Sequence, residues 1–155
     1  MIDEMDIRRI RLSDITKEQF EEIVDLELNC GLEPFTPEML AIDIDCEYTY
    51  ACFDDGHIAG FITVSDEEGY FSEDLFIFNI NVGERWRRRG LASKLIREAL
   101  LIHEGCRTMS LDVTLTNEKA LNLYKKLGFE PTGTPSMNGP TDIVMQIDRE
   151  TLLNA

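Results

Sequence analysis

The chain has 155 residues, 43% hydrophobic and 29% charged, which suits one globular domain with a sizeable core. Thirty acidic residues against 15 basic ones give a formal net charge of −15. That argues against general nucleic-acid binding, which needs a basic surface, and is compatible with cationic partners such as amines or basic peptides.

Residues Ile7 to Leu12 follow the apolar pattern of a strand. Thr16 and Gln19 form a capping box that opens a helix, with Phe20, Ile23, Val24, Leu26 and Leu28 at helical spacing and Gly31 as its stop. Thr36 caps a second helix with Pro37 at its first position, running to about Cys46. Tyr48 to Phe53 and His57 to Val64 read as a hairpin around Asp54-Asp55-Gly56. Leu75 to Val82 is a nearly continuous apolar run, interrupted by Asn79 and Asn81, as for a strand covered on both faces. A helix is predicted from Gly90 to His103, a strand from Thr108 to Leu115, and a helix from Asn117 to Leu127 that Gly128 stops. Two strands follow, about Phe129 to Thr132 and Asp142 to Ile147. The order β-α-α-β-β-β-α-β-α-β-β, with a crossover over residues 75–115, predicts one α/β domain spanning 1–155. Its mixed central sheet is flanked by helices.

Cys30, Cys46, Cys52 and Cys106 contain no C-x-x-C pair, and His57 and His103 complete no ligand spacing. No metal is expected. The N-terminal residues lack the apolar core of a signal peptide, and no apolar run approaches the roughly 20 residues that span a bilayer. A soluble, cytoplasmic protein with reduced, buried thiols is therefore expected, with no membrane partner.

Six basic residues lie between Gly83 and Arg97 in this acidic chain: Arg85, Arg87, Arg88, Arg89, Lys94 and Arg97. They sit where the Leu75–Val82 strand gives way to a helix. The first amides of a helix lack intrahelical partners, and the macrodipole adds positive potential there. Gly90 removes a Cβ that would block close approach, and Ala92 keeps the next contact small. The spacing reads as a pyrophosphate cradle or as an exposed basic helix start. It is neither a Walker A loop nor G-x-G-x-x-G. Trp86 beside it is expected to pack under the helix.

R-x-x-G-x-A after an apolar strand, followed by LDVTLTNEKALNLYKKLGFEPTG with Asn117, Tyr124 and Gly128-Phe129 in register, resembles the acetyl-CoA signature of the GNAT N-acetyltransferase superfamily. The similarity runs from Phe78 to Thr132, and the element order extends it to the GNAT fold. FNINV before R-R-R-G-L-A, with Pro34-Phe35-Thr36 earlier, is most similar to the ribosomal-protein N-terminal alanine acetyltransferases. The resemblance implies an acetyl-CoA-dependent transfer to a primary amine, and the alternative is an acetyl-CoA-binding module without turnover. It implies a splay between the Leu75–Val82 and Thr108–Leu115 strands that takes the pantetheine arm. Ile80, Asn81 and Val82 would meet that arm, and Arg88, Arg89, Gly90, Leu91, Ala92 and Ser93 would hold the pyrophosphate. Asn117 would also meet the cofactor, or serve as a plain helix N-cap. Tyr124, which is also the pattern of a core aromatic, would be the general acid for the leaving thiolate.

Asp112 alternates with Leu111 and Val113, so it points to the opposite sheet face. In the alanine acetyltransferases a glutamate holds the matching place. Asp112 is therefore the candidate base, directly or through a water, and a strand-end ion pair is the other reading. Glu33 is a second candidate, and Glu33 and Phe35 are candidate acceptor contacts. The acceptor pocket is expected from the Cys30–Leu40 and Thr132–Thr141 loops. A peptide N-terminus, a lysine and a small amine all remain open as acceptors. The chain has no tyrosine after Tyr124, which departs from the peptide-gripping pattern of N-terminal acetyltransferases. Monomer and homodimer are both compatible with the family.

Overall fold

The computed structural model describes residues 5–28 and 35–154. Its elements are β1 (Asp6–Ile10), α1 (Lys17–Leu28), α2 (Pro37–Cys46), β2 (Tyr48–Asp54), β3 (His57–Ser65), β4 (Asp74–Val82), α3 (Leu91–Ile102), β5 (Thr108–Thr114), α4 (Glu118–Leu127), β6 (Glu130–Pro135), β7 (Asp142–Asp148) and α5 (Arg149–Leu153). The strands form one mixed sheet in the order β1-β2-β3-β4-β5-β7-β6. The predicted order holds, with α5 as an addition. By contacts the chain forms two compact units, Met1–Val64 with Asn79–Ala99 and Ser65–Phe78 with Leu100–Ala155. β4 and α3 contribute residues to both.

In the first unit α1 opens on a reciprocal capping box. The Gln19 amide donates to Thr16 Oγ1 at 3.0 Å, and the Thr16 amide donates to Gln19 Oε1 at 2.9 Å. Thr36 accepts from the Met39 amide, and Pro37 fills the first position of α2. The β2–β3 hairpin turns through Asp55 (φ 50°) and Gly56 (φ 80°), the two positive-φ centres of a primed turn. Ile10, Ile23, Leu40, Ile44, Ala51, Phe53, Ile58 and Phe61 make its core. Two boundaries move. β1 ends at Ile10, and Leu12–Asp14 forms a short 3₁₀ turn because Asp14 accepts from the Arg11 amide. α1 buries Glu27 and leaves Leu28 62% exposed, against the reading of Leu28 as part of the apolar stripe.

In the second unit β4 pairs parallel to β5 from Asp74↔Thr108 to Ile77↔Leu111. β5 pairs antiparallel to β7 along its whole length. Met109, Leu111 and Val113 alternate inward with the pleat. Asn117 caps α4 by accepting from the Ala120 amide. Gly128 (φ 108°) ends it in the left-handed conformation, where a side chain is strained. A Cβ there would also meet Ile147 and Thr151 at 3.2 Å. β6 starts later than predicted, at Glu130, since Phe129 is buried and its amide closes the α4 cap on the Tyr124 carbonyl. Asp148 caps α5 on the Thr151 amide. Arg149 Nη1 donates to the carbonyls of Leu100, His103 and Cys106, collecting acceptors that a helix end leaves unpaired.

Candidate active site

The first unit carries the strand-to-helix junction. Residues 74–77 of β4 are buried and residues 78–82 are half-buried. The β4–β5 ladder ends at Ile77, so Ile80, Asn81 and Val82 lie beyond it. Gly60 of β3 lets the strand approach closely, since a Cβ there would sit 2.9 Å from the Asn81 carbonyl oxygen. The Val82 carbonyl already accepts from Arg87 Nε at 3.1 Å, so that arginine folds back on the strand.

After β4, Gly83 leads into a 3₁₀ turn. The Trp86 ring covers Gly83, whose added Cβ would lie 2.7 Å from it, and its Nε1 donates to Asp54 Oδ2 at 2.7 Å. Trp86 thus packs on the end of β4 and ties it to Asp54 of β2. Arg88 and Gly90 both take positive φ, 64° and 81°. A left-handed arginine is uncommon and marks a loop shaped for something other than local comfort. α3 begins at Leu91, one residue later than predicted, because Gly90 (φ 81°) stands outside the helix and its carbonyl accepts from Lys94. The amides of Leu91, Ala92 and Ser93 therefore lie in the first turn, without intrahelical acceptors. A Cβ at Gly90 would meet nothing within 4 Å, and free amides at a helix start are the kind of group that can hold an anion. The Leu91 side chain is buried and anchors the helix. Arg88 and Arg89 are exposed.

The same unit contains a cluster outside the sequence reading. Glu27 is 3% exposed. Its Oε1 accepts from Asn79 Nδ2 and Asn81 Nδ2, both at 2.7 Å, and its Oε2 accepts from the Phe35 amide at 2.7 Å. Phe35 is half-buried and packs against the core around Ile23 and Leu40. Glu33 and Cys30 lie outside the described residues.

The second unit carries Asp112 and Tyr124. Asp112 is half-buried between buried Leu111 and Val113. No lysine or arginine pairs with it among the described residues. Its Oδ1 accepts from Tyr70 Oη and from Ser136 Oγ, both at 2.8 Å. Tyr70 Oη in turn accepts from the Met137 amide at 2.8 Å. Burial pushes the Tyr70 phenol upward, and so does the neighbouring Asp112 carboxylate, so Tyr70 stays a neutral donor. Tyr70 and Ser136 had no local signal: one sits in the loop before β4, the other after β6, and only the fold joins them. A cavity of about 510 Å³ opens beside this cluster, lined by Pro131, Pro135, Ser136, Pro140, Asp142 and Ile143 among others.

Tyr124 is 8% exposed and meets Phe129 edge-on at 5.7 Å. Burial pushes its phenol up to about 12, so it is neutral at any ordinary pH. No hydrogen-bond partner holds its hydroxyl among the described residues. The Asn117 side-chain oxygen is used in the cap.

The remaining candidates are structural. His57 is exposed and pairs with Glu22 at 2.8 Å. His103, next after the end of α3, is buried and faces Asp66. Cys52 and Cys106 are buried free thiols, and burial pushes Cys52 up to about 11. Cys46 is exposed, contrary to the expectation for all four. Among the described residues no cluster of His, Cys, Asp and Glu fits a metal ion, and no helix is long and apolar enough to cross a membrane.

A Bacillus subtilis protein named as a ribosomal protein bS18-alanine N-acetyltransferase is 29% identical over 133 residues, 82% of each chain. The crystal structure of the ribosomal-protein-S18-alanine N-acetyltransferase from Escherichia coli covers 93% of both chains, with a TM-score of 0.72 and 22% identity. The NatC complex bound to Gag peptide and CoA has a chain that matches with a TM-score of 0.73 and 21% identity, over 94% of this chain and 98% of that one. The Acetyltransferase (GNAT) family profile matches residues 18–129, and the chain belongs to the GNAT family of acetyltransferases.

Proposed function

We propose that this chain is an acetyl-CoA-dependent N-acetyltransferase whose acceptor is the free N-terminal amine of a protein or peptide. The observation that carries the acyl-donor half is the loop at the head of α3. Arg88 and Gly90 are held at positive φ, and the space above Gly90 is empty of protein. The amides of Leu91, Ala92 and Ser93 would hold the diphosphate, with Arg88 and Arg89 adding attraction from the surface. Ile80, Asn81 and the free edge of β4 would bind the pantetheine arm, with Asn117 as a further contact. Acetyl-CoA supplies an activated acyl thioester when bound.

The protons fall to two residues of the second unit. The acceptor reacts only as a free amine, so its ammonium must be bound and deprotonated. Asp112 Oδ1 is fully engaged by Tyr70 and Ser136, while no residue described occupies Oδ2. That oxygen would receive the ammonium and pass its proton on, directly or through a water. Tyr124, neutral and with its hydroxyl uncommitted, would protonate the leaving thiolate. Peptide N-termini are favoured over small amines because relatives named for that acceptor match most of the chain. Tyr70 also places a phenol against the Met137 amide in the second acceptor loop, where the sequence supplied no tyrosine of its own. Soluble, cytoplasmic operation as a monomer or homodimer completes the proposal.

The test is thiol release from acetyl-CoA with three acceptor sets: peptides with free N-termini, N-blocked lysine peptides, and small amines. Release with the first set and little with the others is the expected result. Release with none of them would overturn the reading.

A further inference from the structure

We infer that Glu27 is a positioning residue that ties the acceptor-side segment at Phe35 to the donor strand β4, so that it sets affinity for the amine and not for the cofactor. This rests on the acetyl-transfer reading above.

Three independent choices in the sequence converge on this carboxylate. Phe20, Ile23 and Val24 follow the buried stripe of α1, and the next position on that stripe is 27. A glutamate fills it and is 3% exposed. Asn79 and Asn81 interrupt an otherwise apolar strand two residues apart, which places them on one face. Asparagine is disfavoured in strands, and both spend their amides on Glu27 Oε1. Asn81 Nδ2 also reaches Asn79 Oδ1 at 3.2 Å, which fixes the orientation of both carboxamides. The third donor is the main-chain amide of Phe35.

A carboxylate this deep is costly unless donors replace its water. Here the three donors come from two separate segments. The two side-chain donors belong to the strand assigned to the pantetheine arm. The backbone donor belongs to the residue that leads into α2 and borders the acceptor loop. One oxygen serves each side, so the two contacts can be broken separately.

Glu27→Gln makes that separation. Its amide oxygen can still accept from both asparagines, but its Nε2 would face the Phe35 amide, donor against donor. Steady-state kinetics with a peptide amide bearing a free N-terminal alanine should show an acceptor KM raised about ten-fold or more, the loss expected for a hydrogen bond to a charged group. kcat and acetyl-CoA affinity should stay within about two-fold of wild type. A folded Glu27→Gln protein with wild-type acceptor KM would overturn the inference, as would an equal loss of cofactor affinity. Phe35→Pro against Phe35→Ala gives a second route if Glu27→Gln does not fold. Both lose the ring, but only the proline lacks the donor, so an acceptor KM about ten-fold higher for the proline variant is expected. Equal values would overturn the inference. A wild-type protein that releases no thiol with any amine would overturn the functional reading as well, which distinguishes the two failures.

Discussion

Tyr70 donates its hydroxyl proton to Asp112 Oδ1 at 2.8 Å while accepting the Met137 amide on the same oxygen. One phenol thus holds the candidate base and the β6–β7 loop in a single geometry. Ser136 adds a second donor to Oδ1, which leaves Oδ2 as the oxygen proposed to take the ammonium proton. Asp112→Asn should lower kcat/KM for the amine by about 10²-fold, the scale of a lost general base. Tyr70→Phe should cost less, roughly three- to ten-fold, since Ser136 still donates. Acetyl-CoA affinity by calorimetry should be unchanged in both. Full activity in Asp112→Asn would return that residue to a structural role.

The Gly90 position tests the donor site without touching a proton. A Cβ there would meet no protein atom within 4 Å, so the branch point of a valine has room. Its β-branched side chain is strained at φ 81°, and it projects into the space assigned to the diphosphate. Gly90→Val should fold, with a modest loss of stability, and should weaken CoA binding by at least ten-fold. Wild-type affinity would mean that the cofactor lies elsewhere. In wild type, affinity should fall with added salt yet persist, because backbone amides are screened less than the exposed Arg88 and Arg89.

The local signals account for much of the framework. Thr16 with Gln19, Thr36 with Pro37, the Asp54–Gly56 turn and Gly128 each mark an end because their chemistry is confined to a few neighbouring residues. The strand, arginines, glycine and helix start of the candidate cradle could be read as one unit for the same reason, since they are contiguous. What was missed depends on partners far along the chain. Glu27 carries no local signal of its role, since its partners are eight, 52 and 54 positions away. Tyr70 reaches Asp112 across 42 positions. The one available clue to Glu27 was the pair of asparagines in β4, which were read only as interruptions of an apolar run.

Tyr124→Phe separates catalysis from packing. The phenylalanine keeps the ring against Phe129 and removes only the hydroxyl. If the hydroxyl protonates the leaving thiolate, kcat should drop by about 10²-fold or more, with cofactor affinity unchanged. An unaltered kcat would make Tyr124 a core aromatic.

The same substitution carries a pH signature in stability. Tyrosine ionises near 10 in an unfolded chain, and burial raises Tyr124 to about 12 in the folded protein. Below pH 10 both states hold the proton, so its contribution is constant and fully present. Between 10 and 12 the unfolded chain has released the proton while the folded chain retains it, so the unfolded state binds fewer protons and stability falls as pH rises. The slope approaches about 1.4 kcal/mol per pH unit. Cys52 and Tyr70 are also raised and add slopes of the same sign, so the quantity to measure is the difference between wild type and Tyr124→Phe. Urea unfolding at intervals from pH 8 to 11.5 should show a flat difference up to about pH 10. Above that, wild type should lose ground to the variant, by about 1–2 kcal/mol at the upper end. A difference that stays flat to pH 11.5 would mean that the Tyr124 hydroxyl is solvated in the folded protein, and its assignment as a buried neutral acid would fall with it.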